Sequence, residues 1–509
     1  MKGSRTQKSV TNTVVSFASQ LIVILLGFLS RRVLIYSVGV EYLGINGLMS
    51  NILTIFSLAE SGIGLAIGYA LYKPLAENDI EQVKSLMRFF KYTYRALAIG
   101  TAAIGIAFYP LLPFFLKDNT APDANLVYWL FLLGSVSSYL WVYKTTLNTS
   151  DQNKYLYTIA STIAQIVVLV LKVLILYFAQ NYILYLAVDI GTTIVKNLIF
   201  CRIVDRRYPY LKDKNVRKLD PEVRKSLFTN IKALFLGKVG YIISQCSDNL
   251  VISSLVSVTA VGMYSNYTTL ITSVTTFSSG VTASMGNLIA SETKERAYEV
   301  YKRVDFINYW LYTFTATCLL CLVEPFVAIW LGQDFVLTKA ILILAVAIYY
   351  FKGINSGIDI AKNAAGLYYP DRFIPMAEAI ANMVISIVLA KRYGIAGVLF
   401  GTLVSFLALS FWAKPYFVCR DVFEVSFARY AVREGREIVV SVLVAAGTWY
   451  AVSLVSLENV LLSFGVKALL ALALSNGLLL LVYFKTSEFQ YLRGLLESAA
   501  NRIGKRKKA

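Results

Sequence analysis

Residues 10–37, VTNTVVSFASQLIVILLGFLSRRVLIYS, form an apolar run long enough to cross a bilayer, yet they include two adjacent cations, Arg31 and Arg32. A spanning helix needs about 20 mainly apolar residues at about 1.5 Å each. A charge within one costs roughly 2.5 to 3.5 kcal/mol on insertion scales, which makes both arginines candidate functional residues. The stretch has a second copy 218 positions later. Aligned without a gap, Asp248 and Asn249 fall against Ser30 and Arg31, so charge recurs at nearly the same level in each copy.

Outward from that stretch, the 509 residues are 57% hydrophobic, with a mean hydropathy of +0.61. That composition indicates an all-α polytopic membrane protein. Fourteen spans are expected, at about 10–37, 43–72, 90–116, 124–148, 155–178, 181–204, 227–257, 260–290, 303–332, 338–366, 372–391, 394–419, 437–457 and 460–484. The short breaks on the side opposite the N-terminus leave no room for an extracytoplasmic catalytic domain.

A net charge of +19 in a soluble chain would suggest a nucleic-acid partner. Here orientation accounts for it, and no nucleic acid is expected. With the N-terminus inside, 35 of the 49 Lys and Arg fall in cytoplasmic segments, nine of them between Arg202 and Lys225. The opposite loops hold only Lys117, Lys339, Lys391 and Arg392. This asymmetry predicts both termini in the cytoplasm. Cys318 and Cys321 have a metal-site spacing, but they lie mid-span and the chain contains no histidine, so no metal or cofactor is expected. The basic N-terminus and its apolar run lack a small-residue cleavage site, which reads as an uncleaved first helix.

Two cytoplasmic breaks have apolar residues at helical spacing among charges and predict helices lying on the membrane surface. Pro74 to Met87 does so through Leu75, Ile80, Val83, Leu86 and Met87. Ser487 to Ile503 does so through Phe489, Leu492, Leu496, Ala499 and Ile503, ahead of a tail with Lys505 to Lys508.

The internal repeat matches Gly44 with Gly262, and Ser61 and Gly62 with Ser279 and Gly280. In the second span Gly47, Ser50, Thr54, Ser57, Ser61 and Gly64 recur every three or four residues. Ser265, Thr268, Thr272, Thr275, Ser279 and Thr282 repeat the rhythm in the eighth. Such stripes lie on one helix face, where they serve either a wet cavity or close helix packing. Six spans separate the copies, an even number, so the repeat is parallel. It predicts six-helix lobes at 1–205 and 227–420 around a central cavity. A basic linker at 206–226 joins them, and 421–509 adds two helices and a tail.

Further charges lie within spans. Lys352, Asn355, Asp359 and Lys362 share one face of the tenth, which reads as lining a cavity or as a neutralised cluster. Asp189 and Lys196 share a side of the sixth and suit an ion pair or ligand binding. Glu60, on the polar edge of the second span, is a candidate coupling carboxylate. Lys172 and Lys467 are lone cations expected to snorkel to the headgroups. A guanidinium matches a phosphate or diphosphate because its planar donors reach two oxygens at once, so Arg31 and Arg32 suit an anionic substrate.

The run Gln245, Cys246, Ser247, Asp248, Asn249, followed by Val261, Gly262, Met263, Tyr264 and Ser265, resembles the start of the second half of Wzx-type polysaccharide flippases. The opening resembles them too, through Arg31, Arg32, Tyr42, Leu43, Gly44 and Ile45, as does the succession of spans. The resemblance implies the multidrug/oligosaccharidyl-lipid/polysaccharide exporter fold, with helices one, two, seven and eight lining the cavity. It implies transport of an undecaprenyl-diphosphate-linked oligosaccharide to the outer leaflet of a bacterial cytoplasmic membrane, alongside a polysaccharide polymerase and glycosyltransferases. Arg31 or Arg32 would hold the diphosphate, with Asp248 as a pairing partner in one state. A drug or metabolite antiporter and a lipid II flippase share the fold. A membrane glycosyltransferase or polymerase lacks its expected large loop here.

Overall fold

A computed structural model describes residues 5–116, 123–151, 154–213, 215–284, 294–365, 371 and 373–494. All regular structure among them is helical, as an all-α polytopic membrane protein requires. Eight helices are long and apolar enough to cross a membrane, and one bent pair makes a ninth. Helix also occupies the described parts of the remaining expected spans.

The chain forms two compact units, Met1–Gly262 and Met263–Ala509. In the first, α1 (Arg5–Val38) gives way to α2 (Val40–Phe56) at Gly39, whose φ of 98° suits glycine. The expected span 43–72 is two helices, α2 and α3 (Leu58–Glu77), broken at Ser57. Hydroxyls contribute to the break: Thr54 Oγ1 donates to the Ser50 carbonyl at 2.7 Å and Ser57 Oγ to the Thr54 carbonyl at 2.9 Å. Such back-bonding competes with the helical ladder and bends it.

The surface helix expected at Pro74–Met87 does not exist as such. α3 runs on through Pro74 and turns at Asn78, in the left-handed region. Then α4 (Ile80–Phe108) starts on Asp79, whose carboxylate accepts from the Gln82 amide at 3.0 Å. Val83, Leu86 and Met87 face the protein core with Ile67, Leu71 and Phe90. Burial against α3 takes the apolar stripe that the sequence offered to lipid.

Next come α5 (Ala124–Tyr139) and α6 (Val142–Ser150), bent by 45°. The hairpin of α7 (Lys154–Phe178) and α8 (Tyr182–Arg207) follows. The last long helix of the unit is α9 (Pro221–Leu255), capped by Asp220 with proline at its first position. Since α9 packs on α2 and α3, the first compact unit extends through it to Gly262.

Spanning the boundary, α10 (Val258–Ser284) begins where α9 ends. At that point the repeat becomes physical. A Cβ on Gly44 would overlap the Val258 carbonyl, and one on Gly262 would overlap the Val40 carbonyl and lie 3.1 Å from the Gly44 nitrogen. Gly44 and Gly262 are repeat mates, as are Val40 and Val258, so the crossing is reciprocal.

The second unit continues with α11 (Lys294–Leu331), α12 (Lys339–Ala364) and α13 (Ile374–Ser405). The helical run Ile374–Phe423 contains two of the expected spans, separated by a kink at Gly394 (φ 58°, ψ −135°). It ends through α14 (Phe411–Val418) and a wide turn at 419–423. The last two spans, α15 (Phe427–Ser453) and α16 (Val460–Tyr483), are tied to α11 by polar contacts. Thr313 and Ser441 share a hydrogen bond of 2.7 Å, and Trp310 Nε1 donates to Asn476 at 3.0 Å. Beyond α16, Phe489 stacks on Trp310 at 5.6 Å, so the described start of the expected tail helix rests on protein. Leu496, Ala499 and Ile503 lie outside the described residues.

Replacing Gly44 or Gly262 by alanine is expected to destabilise the protein by about 1 to 3 kcal/mol through overpacking. Thermal unfolding in detergent should show both variants falling, while Gly27→Ala, with open space around it, stays near the parent.

Candidate functional site

The first unit contains a polar cavity of about 440 Å3 within its helix bundle. Ser50 and Thr54 of α2 and Ser57 at the break line one wall, three members of the sequence stripe, with Glu60 of α3 beside them. Ser135, Ser138 and Tyr139 line the α5 side, and Asp189 and Thr193 come from α8. Among the described residues, Glu60 and Asp189 are its only charged lining residues, and Tyr139 approaches Glu60. Hydroxyls and two carboxylates in an apolar bundle make a water-accessible chamber, since each polar group would be costly against lipid.

A chain of contacts leads away from this chamber. Asp189 Oδ2 accepts from Lys172 Nζ at 2.8 Å. That ammonium lies 4.2 Å from the centroid of the Tyr185 ring. The Tyr185 hydroxyl is 3.4 Å from Ser30 Oγ, and Arg31, half-buried, lies beside the same tyrosine. Asn46 Nδ2 donates to the Tyr182 hydroxyl at 3.2 Å, and the Tyr182 ring stacks on Tyr185 with centroids 5.5 Å apart. Arg31 and Arg32 thereby separate: Arg32 is exposed on the other side of α1, 5.8 Å from the Tyr36 ring centroid. Asp248 is half-buried on α9.

Two sequence assignments change. Lys172 does not snorkel, and Asp189 takes Lys172 as its partner instead of Lys196, which lies 5.4 Å from the Tyr157 ring centroid. The α7–α8 turn explains this. Lys172 and Asp189 stand equally far from its centre between Gln180 and Asn181, so an antiparallel hairpin brings them level. That symmetry about the turn was the available signal.

The charged face of the tenth span meets several separate partners among the described residues. Asp359 pairs with Lys414 of α14 at 2.9 Å, and Lys362 pairs with Asp371. Asn355 is buried and donates to the Phe411 carbonyl at 3.3 Å, and Lys352 lies 5.9 Å from the Phe406 ring centroid. Asp359 and Lys362 are thus neutralised by these partners, whereas Lys352 has an aromatic ring beside it.

The second unit also has a buried charge cluster that the sequence reading did not single out. Asp305, Glu434 and Glu437 bring carboxylate oxygens within 4.8 Å of one another. Arg433, expected in a cytoplasmic loop, pairs with Asp305 and lies 3.8 Å from Glu437. The cluster carries its own cation, and the arrangement fits a fastening of α15 to α11 better than a metal centre.

Neither protein-family models nor curated proteins matched the sequence. Solved structures did match in fold. A lipid II flippase, MurJ, in an inward closed conformation aligns with a TM-score of 0.65 and 13% identity, over 93% of this chain and 99% of that one. The MATE multidrug transporter DinF-BH aligns at 0.57 and 14%, over 83% and 98%. A variant of the Vibrio cholerae MATE transporter VcmN aligns at 0.56 and 15%, also over 83% and 98%. The chain therefore has the fold of MOP-superfamily transporters, and these neighbours are transporters and flippases, not enzymes.

Single cysteines placed at Ser50, Thr54 or Ser138 are expected to react with a charged, water-soluble thiosulfonate. The five native cysteines, four buried and one half-buried, should give little background. Absence of labelling at all three positions would contradict a wet chamber. In a double-mutant cycle, Lys172→Met and Asp189→Asn should couple by about 1 kcal/mol, because Asp189 remains partly exposed. Unfolding midpoints of the four proteins check this.

Proposed function

We propose that this protein is a flippase that moves an undecaprenyl-diphosphate-linked oligosaccharide from the cytoplasmic to the outer leaflet of a bacterial membrane by alternating access. The observation that carries the reading is Arg31: a cation half-buried within the first helix, joined through Tyr185 and Lys172 to the polar chamber. Arg31 and Lys172 supply the positive charge a diphosphate needs. The hydroxyl-lined chamber accommodates sugars, and the polyprenyl chain stays in lipid. The fold match over 93% of the chain to a lipid II flippase, a protein that moves a lipid, supports the same class of cargo. Capsule or another surface polysaccharide is the product in this reading, with a polymerase and glycosyltransferases as its neighbours in the pathway. Lys352, Asp359 and Lys362 are proposed to serve the lobe's structure during rocking, and Asp248 to meet Arg31 in one state.

A second reading has its own support. Among the described residues, Glu60 and Asp189 are the chamber's only charged lining residues, which suits export of an organic cation. In either reading Glu60 is the proposed coupling carboxylate.

Deleting the gene should leave lipid-linked repeat units on the cytoplasmic face, and reconstituted protein should flip them but not accumulate a cationic dye. The reverse result selects the second reading. In the flipping assay Arg31→Ala is expected to lose about tenfold or more, equivalent to about 1.4 kcal/mol. Arg32→Ala, at an exposed position, should lose less. Equal losses would remove Arg31 from the substrate site, and unchanged flipping by Asp248→Asn would remove the pairing.

A further inference from the structure

The first unit has another cavity, of about 550 Å3, that shares no residue with the chamber. Its walls come from three distant parts of the chain: the first turns of α4, the start of α6, and the connection after α8, where Pro209–Lys212 forms a short tight turn. The distribution of Lys and Arg assigns all three parts to the same side of the membrane. The volume lies in the range of small-molecule sites, about 300 to 1,000 Å3.

The charges inside do not cancel. Of five cations, two are committed. Lys84 Nζ is 2.9 Å from Asp213 and 2.5 Å from Glu81, which lies outside the lining, and Lys144 Nζ is 2.8 Å from Asp205. The pairs with Asp213 and Asp205 use both carboxylates in the lining. Arg88, Lys91 and Lys212 also line the cavity, and none has a carboxylate partner among the described residues. Arg88 donates only weakly, to the Val216 carbonyl at 3.4 Å.

Convergence of these cations is built in, not incidental. Arg88 and Lys91 stand three residues apart on α4, so they share a face. The opposite wall is strapped down by the Lys84–Asp213 pair and by Ser85 Oγ, which donates to the Arg217 carbonyl at 2.8 Å. Arg88 and Lys212 are exposed and Lys91 is half-buried, so water screens their mutual repulsion, and the three together make a solvent-facing positive concavity that concentrates anions. Tyr92, Tyr143 and Tyr210 add aromatic surface to the walls, which a bare ion would not use.

We propose that this cavity binds a ligand through a phosphate or diphosphate group, with Arg88 gripping two oxygens and Lys91 and Lys212 supplying point charges. A phosphorylated metabolite and an anionic phospholipid headgroup offer the same chemistry. The site stands apart from the transmembrane chamber and does not depend on what that chamber transports.

The full-length protein, purified in detergent, should bind inorganic pyrophosphate saturably by titration calorimetry at low salt. The Arg88→Gln/Lys91→Gln/Lys212→Gln variant should bind at least about tenfold more weakly. The charge-preserving Arg88→Lys/Lys91→Arg/Lys212→Arg variant should remain within a few fold, and unchanged unfolding midpoints should show that both fold. Repeating the titration in phosphatidylcholine nanodiscs with and without phosphatidylglycerol separates the sources. Weaker pyrophosphate binding in the anionic discs identifies a headgroup occupant, and equal binding identifies a soluble one. Equal affinity of parent and glutamine variant, or no saturable binding by the parent, overturns the proposal.

Discussion

The close approach of backbone to backbone at Gly44 and Gly262 is the constraint from which the first unit's architecture follows. Lipid tails are as apolar as leucine, so helices in a bilayer gain little from hiding hydrophobic surface from one another. They associate by close packing, which small residues permit. Here the Val258 carbonyl occupies the space of a missing Cβ on Gly44, and the Val40 carbonyl occupies that of Gly262. This contact holds the start of α10 against the start of α2. With α9 packed along α2 and α3, it draws the beginning of the second repeat into the compact unit of the first.

Charge placement obeys a second constraint, the cost of an uncompensated ion away from water. Asp359, Lys362 and Arg433 find opposite charges, and the buried Asp371 carboxylate is met by Lys362. These pairs fasten helices. Lys172 and Asp189 are different in setting, because Asp189 opens onto a chamber and Lys172 touches the aromatic group that neighbours Arg31. The same ion-pair chemistry therefore acts as a fastening in the second unit and as the rim of a polar path in the first. Neighbourhood, not residue type, separates the two.

How much of this was legible in the chain depends on the range of the interaction. Helices were legible because the apolar runs are local and each must satisfy its own backbone in lipid. The polar stripe of the second span was legible for the same reason, and Ser50, Thr54 and Ser57 do line the chamber. The partners of Lys172, Asp359 and Lys362 were not, since each depends on which helix lies alongside. Pro74–Met87 shows the limit clearly: its amphipathic pattern specifies that one face must be covered, while only packing against α3 shows that protein covers it.

By itself the sequence determined an all-helical membrane chain, its internal repeat, the matching of Gly44 with Gly262, and a short set of charged positions to question. Only the tertiary structure decided that Arg31 turns inward beside Tyr185 while Arg32 is exposed, that Lys172 belongs to Asp189, and that Asp359 and Lys362 find opposite charges. The physical reason is one of distance. Periodicity and hydropathy are properties of neighbouring residues, whereas the worth of a buried charge is set within a few ångströms by groups from remote parts of the chain.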